Sequence, residues 1–466
     1  MEAISKNARI AIVASILGGL VLMGCRTIAT STTSFDLIRN GSPEEVSVAL
    51  RTTISVRDHD KDGWTPLMIA AAYNQNPDVL RILLAAGSDA KAKNRDGNTA
   101  LMIALERNRG LDLINLLIET DPDVKARNTD NLTPLMMAAR YEQHSEVLSA
   151  LLKAGAEIEA RATRSWTPLM IAAEYNSNPN IYRALLDYNT DINALECDGG
   201  TALMIAVQYN QTVDIVKLLL EAGANIKVHD RKGATAFMYA AARSRDTDVI
   251  KILLNAGADI NEKNIRNSNE TALMIAAYEN QVSSILMEIL KAGANAKART
   301  KSGGSVLLAA AQNNNNNLDV FEALVKAGAD INAADNIGWT PLMSACKHDR
   351  SVEIIRGLLD AGSDVNARTN DGWTSLMLAA ENTQYFEVIN ALLRAGADIN
   401  TKSRLGWTPL MIAARHSQSP EVVLALLNAD TTTMKSENGK LVLKFAKSNP
   451  KLVNTDAMKQ LESALH

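Results

Sequence analysis

Residues 58–63 read Asp-His-Asp-Lys-Asp-Gly, the D-x-D-x-D-G opening of a calcium loop. Alternating carboxylates closed by a Gly would gather oxygen ligands around a divalent cation. The twelfth position, where such a loop needs a bidentate Glu, holds Ile69. Asp62-Gly63 also aligns with Asp96-Gly97 further along, so the stretch reads as an ordinary turn. Among the 6 His, no two have metal-ligand spacing. The three Cys are Cys25, Cys197 and Cys346. Cys346 stands in an apolar slot, as a buried structural thiol would, and Cys197 on a turn. The chain has no Gly-rich phosphate loop, no nucleophile elbow and no Ser/His/Asp cluster. Without an acid, a base and a nucleophile in one constellation, the sequence predicts no enzyme and no cofactor.

Cys25 has a different chemistry. Lys6 and Arg9 precede an apolar run of 14 residues, Ile10 to Met23. That is too short to span a bilayer and the right length for the core of a secretory signal. It ends Leu22-Met23-Gly24-Cys25, which resembles a bacterial lipobox. The resemblance implies that Cys25 is lipidated and becomes the new N-terminus; the other reading is an ordinary cleaved signal with an incidental Cys. Arg26, where an Asp would favour retention at the inner membrane, implies the outer membrane. Residues 1–24 are therefore read as a lipoprotein signal peptide and 25–33 as a polar tether.

The rest of the chain is periodic. Thr65, Thr99, Thr133, Thr167, Thr201, Thr235, Thr271, Ser305, Thr340, Thr374 and Thr408 recur every 34 residues, except for 36 after Thr235 and 35 after Ser305. A fixed period of this size means stacked supersecondary units that bury their apolar faces only against neighbours. In one unit, Thr65 caps a helix that starts at Pro66 and is predicted to run to Asn74, packing Leu67, Ile69, Ala70 and Ala71. Asn76-Pro77 opens a second helix with Val79, Ile82 and Leu83 on its apolar face. Gly87 ends it in left-handed backbone. Gly155, Gly223, Gly257, Gly293, Gly328, Gly362 and Gly396 fill the same slot, with Asp121, Asn189 and Asp430 in the other three repeats. A turn or short hairpin leads to the next Thr. Cys197 and Cys346 lie four repeats apart, roughly 40 Å at ~10 Å per unit, beyond the ~7 Å reach of a disulfide. His348 and His416, two repeats apart, are likewise too distant to share a metal.

The T-P-L-M-x-A-A core, the helix pair and segments such as Leu253 to Asn261 resemble the ankyrin repeat family. The resemblance implies an all-α repeat solenoid of about 12 to 13 units. Residues 34–61 read as an N-terminal cap, 62–437 as the array and 438–466 as a C-terminal cap. Two features depart from the family. The usual His after T-P-L is replaced by Met68, Met102, Met136, Met170, Met204, Met238, Met274, Met343, Met377 and Met411, with Leu308 once. The inter-helix loop Asn74-Gln75-Asn76-Pro77 looks one residue longer. The Met column reads as core packing, because Met fills irregular gaps.

All five Trp occupy the slot before the anchor: Trp64, Trp166, Trp339, Trp373 and Trp407. A second column, eight residues after the anchor, carries Tyr73, Tyr141, Tyr175, Tyr209, His348 and His416. The resemblance implies that these columns line a partner-binding groove. Trp339, Trp373 and Trp407 fall on consecutive repeats, with Lys347, His348, Arg415 and His416 expected to flank them. Tyr141, Tyr175 and Tyr209 form a second candidate patch. The competing reading is that the rings stack to stiffen the array. The formal charge is −4, a mild acid excess with no basic stripe, which argues against a nucleic-acid partner. The combined expectation is a lipid-anchored ankyrin scaffold in a bacterial envelope that binds a protein. The alternative is an immunity, inhibitor or accessory protein for a neighbouring secreted enzyme.

Overall fold

The computed structural model describes residues 31–120, 123–141, 143–210, 212–313, 317–429, 433–435 and 437–465. The signal peptide, Cys25 and the start of the tether lie outside the described residues, as do Asp121 and Asp430. Among the described residues no helix is long and apolar enough to cross a membrane.

The anchor residues act as helix caps. Thr65 is extended at φ −83° and ψ 163°, and its hydroxyl accepts the Met68 N–H at 3.3 Å. Pro66 occupies the first helical position, where its missing donor costs nothing. Thr340, Thr374 and Thr408 cap in the same way. Met supplies something besides volume: the Thr65 N–H donates to Met68 Sδ at 3.4 Å, and the Thr133 N–H to Met136 Sδ at 3.5 Å. The sulfur thus takes the reciprocal role that Glu plays in a capping box. Every Met of the column is buried, and so is Leu308.

The first helix is Pro66–Tyr73, with Asn74 as its C-cap rather than its last turn. It is buried from Pro66 through Ala72, because it packs on its own partner helix and on the first helices of adjacent repeats. The second helix, Pro77–Ala85, buries Val79, Leu80 and Leu83, while Ile82 is only half-buried. The predicted Ile82 contact gives way to Leu80. The cause is the stack: this helix touches its own first helix and the second helices of adjacent repeats, which turns its buried arc. The same spacing recurs at Val249, Ile250 and Leu253.

The slot after the second helix is left-handed wherever it falls among the described residues. Gly293 has φ +95°, and Asn189 adopts φ +55° in its place. The Gly293 N–H donates to the Leu290 carbonyl at 2.9 Å and the Ala294 N–H to Ile289 at 3.3 Å, the paired bonds of a Schellman turn. A Cβ built on Gly293 would meet no atom within 4 Å. Gly293→Val therefore isolates the backbone penalty, and we expect urea unfolding to show a loss of about 1–2 kcal/mol. Asn189→Gly should be neutral or slightly stabilising; unfolding by that change would refute the assigned register.

Between the helices of several repeats lies a buried polar residue that ties the repeat to the one before. Asn74, Asn280, Asn313 and Asn449 each donate from Nδ2 to two carbonyls of the preceding repeat. Two repeats use Arg here: Arg109 donates to the Asn74 carbonyl, and Arg350 is buried at the equivalent position. Burial lowers the pKa of both guanidinium groups, although ordinary guanidinium basicity leaves them cationic.

The chain divides into two compact units, one ending at Glu157 and one from Ile158 to His466. The first contains four helix pairs and the second nine, among the described residues. The sum agrees with the upper end of the sequence expectation. The first described helix is Ser31–Asn40, which begins before the boundary at 34 expected for the N-terminal cap. The next starts at Pro43 behind a capping box between Ser42 and Glu45. The last pair is Glu437–Ser448 and Asp456–Leu465. The only strands among the described residues, Lys263–Asn264 and Glu270–Thr271, form an antiparallel ribbon in the finger lengthened by two residues. In the repeat anchored by Thr201, a π-helical turn, Ala206–Asn210, replaces the end of the first helix.

Candidate interaction face

Each turn between repeats is a finger, and its geometry comes from a short polar side chain usually five residues before the anchor. Asp335 Oδ1 accepts the N–H groups of Ile337 and Trp339, both at 2.9 Å. Asp60, Asn94, Asn128, Glu196 and Asp230 make the same two bonds. Thr369 and Ser403 accept only the later one, from Trp373 at 3.1 Å and Trp407 at 3.2 Å. Successive fingers are joined by a backbone bond: the Asn370 N–H donates to Ile337 and the Arg404 N–H to Asp371. The Trp column is thus held at the base of a rigid finger. Sequence reasoning missed this polar column because Asp, Asn, Ser and Thr are common in any turn. Its recurrence at one offset from the anchor was the available signal.

In the same arrangement the Asp residues of the calcium-loop motif serve the turn. Asp60 is committed to its own turn, Asp58 Oδ2 accepts the Ser55 N–H at 2.9 Å, and Asp62 faces Arg95 at 3.7 Å. Among the described residues, one group of potential ligands comes together, Glu196, Cys197 and Asp198. Arg164 occupies that corner, pairing with Asp198 and lying 3.6 Å from Glu196, so the carboxylates already have a cation. Cys346 is buried, and burial pushes its thiol pKa well above the ordinary range, leaving an inert core group.

The family model described as ankyrin repeats (3 copies) matches residues 1–94, 70–162, 159–230, 212–300, 237–335, 273–369, 307–403 and 363–438. The chain belongs to the ankyrin repeat family. No curated protein matches it. Ankyrin repeats are protein–protein interaction modules and are typically binding scaffolds without enzymatic activity.

Within this ankyrin array the predicted Trp row divides. Trp339, Trp373 and Trp407 are all half-buried. Trp407 is committed to packing: it stacks on Phe445 with ring centroids 4.9 Å apart and planes 17° from parallel. The Arg415 guanidinium lies 5.3 Å from both rings, and His416 is 6.5 Å from Trp407. Arg415 and His416 therefore do flank a Trp. Lys347 and His348 are drawn elsewhere. Lys347 pairs with Glu381 of the next repeat at 3.1 Å and donates to Asn382 at 3.3 Å. His348 is the C-cap of its own helix, with Nδ1 2.9 Å from the Ser344 carbonyl. Trp339 and Trp373 have no ring contact among the described residues.

The Tyr patch also divides. Tyr141 belongs to the first unit and is half-buried with the Arg140 guanidinium 5.0 Å over its ring. Tyr175 and Tyr209 belong to the second and are 47% and 55% exposed, with Tyr209 on the π turn. Tyr278, one residue out of the column, is as exposed as Tyr209, and only the structure shows it. Tyr239 is another residue the sequence did not single out. Its hydroxyl donates to Asp230 Oδ2 at 2.6 Å, and burial with that carboxylate raises its pKa.

Charge is unevenly distributed: in the second unit, residues 225–234, 259–270 and 295–304 hold 8 Lys and Arg against 4 Asp and Glu, an excess that the whole-chain charge does not show.

Proposed function

We propose that this ankyrin chain is a lipid-anchored scaffold of the bacterial envelope that binds a protein through the face carrying Trp339 and Trp373. Cys25 would carry the lipid, with the array at the outer membrane and facing the periplasm or the surface. The observation that carries the binding reading is the pair of Trp rings on consecutive repeats. Both are fixed at their backbones by finger caps, and neither is used in ring packing. Pre-ordered aromatic side chains bind with little entropy loss and dominate interface energetics.

The test is partner capture from an envelope fraction by Trp373→Ala, read beside its thermal unfolding. We expect capture to weaken about tenfold or more, as for a central interface residue, with little change in melting temperature. A large drop in melting temperature, with affinity kept after correction for the folded fraction, would make the column structural. The exposed Tyr175 and Tyr209 would then be the better site. For the anchor, Cys25→Ala should lose labelled fatty acid and membrane association; equal partitioning of both forms would exclude lipidation.

A further inference from the structure

We propose that three consecutive fingers of the second unit, residues 225–234, 259–270 and 295–304, dock a short acidic segment of the protein partner. The inference rests on the reading that the array binds a protein, and it names the chemistry of one bound segment. The first finger presents Lys227, Arg231 and Lys232, and the second Lys263 and Arg266. The third presents Lys297, Arg299 and Lys301. All but Arg299 are exposed.

The fingers are physically contiguous. Arg266 donates to the Arg231 carbonyl at 3.1 Å, and the Lys301 ammonium to the Ile265 carbonyl at 2.8 Å. The Lys301 N–H also donates to the Ser268 carbonyl at 2.7 Å. Yet these cations lack counter-charges. Only Arg299 faces a carboxylate among the described residues, Asp330 at 3.5 Å. The four acids of the same fingers are Asp230, Asp259, Glu262 and Glu270. Asp230 is buried beneath the Tyr239 hydroxyl and its own finger's N–H groups. Glu262 is paired with His229 at 2.6 Å. Asp259 accepts the Asn261 N–H, and Glu270 is half-buried and accepts from Asn267. A concentration of unpaired cations sets up a field that an anionic ligand relieves.

The boundaries of the patch select the ligand. The finger before it, residues 191–200, has Asp191, Glu196 and Asp198 and no Lys or Arg; the one after, residues 330–339, has Asp330 and Asp335 and none either. Three fingers at ~10 Å spacing span about 20 Å, which about six residues of extended chain would cover. A nucleic acid or an anionic bilayer runs on past that length and meets acidic fingers at both ends. The patch also has no Phe, Tyr or Trp ring on which a base would stack, and it carries Ile265, 69% exposed at the middle finger. Carboxylates around one apolar side chain fit it best.

The test uses the full chain and a labelled peptide of about six residues, Glu-rich with one central Leu. Lys227, Lys232 and Lys297 make no side-chain hydrogen bond or ion pair among the described residues, so Lys227→Glu, Lys232→Glu and Lys297→Glu combined should leave melting unchanged. We expect that variant to bind the peptide about tenfold more weakly or worse, and Lys402→Glu, three fingers beyond the patch, to bind it normally. Wild-type binding should also weaken between about 0.05 and 0.3 M salt. Equal peptide binding by the triple variant and the wild type would overturn the proposal. So would a single-stranded oligonucleotide or an anionic phospholipid vesicle that engages the same three lysines more tightly than the peptide. If the peptide fails while partner capture still depends on Trp373, this inference alone falls.

Discussion

Asn280→Ala should lower the stability of the second unit by about 3 kcal/mol, measured as a shift in the urea midpoint. Asn280 is 6% exposed. Its Nδ2 donates to Ala241 at 2.9 Å and Ser244 at 3.0 Å, while its Oδ1 accepts the Val282 N–H at 2.8 Å. Alanine removes all three bonds and leaves two carbonyls and one amide unpaired in a buried seam. Each orphaned group costs about 1–3 kcal/mol; partial hydration of the carbonyls brings the total below the simple sum. The seam continues into the next repeat, where Asn313 donates to the Asn280 carbonyl at 3.1 Å. A shift of the Asn280 loop therefore propagates in both directions. A loss under about 1 kcal/mol would mean that water replaces the amide and that apolar packing alone sets the repeat spacing.

How much of this was legible in the sequence depends on the range of the interaction. Thr65-Pro66, Asn76-Pro77 and Gly87 act on backbone groups within a few residues, so their chemistry could be read from one repeat. The Asn280 tie could not. The sequence shows a polar inter-helix loop, but the carbonyls that Asn280 satisfies lie 36 and 39 residues earlier. The choice of Leu80 over Ile82 has the same origin, since adjacent helices turn the buried arc. The Trp column was legible as a column, but its division was not. Phe445 stands in a segment that has lost the repeat motif, and no spacing rule predicts that it meets Trp407. The basic fingers were hidden for a simpler reason: whole-chain charge averages over acidic residues that the fold buries, pairs or assigns to other fingers.

Trp407→Ala should detach the C-terminal cap in preference to the rest of its unit. Trp407 belongs to the last repeat with the full motif, and Phe445 to Glu437–Ser448, the first helix of the capping pair. An offset-stacked aromatic pair contributes about 0.5–1.5 kcal/mol beyond its buried area. The Arg415 guanidinium, near both rings, adds about 0.5–1 kcal/mol. With the apolar area of a half-buried indole included, we expect a loss of about 2–3 kcal/mol. The capping pair packs on Pro409–His416 and Pro420–Ala429 of the Trp407 repeat, so that loss falls directly on this interface. Hydrogen exchange should show protection collapsing over residues 437–465 while the helices at Trp339 and Trp373 keep theirs. Trp373→Ala, with no ring partner to lose, should leave the cap protected. Uniform loss of protection across the second unit would show that Trp407 supports the stack as a whole. An unaltered cap, combined with weaker partner capture, would instead return Trp407 to the binding face alongside Trp339 and Trp373.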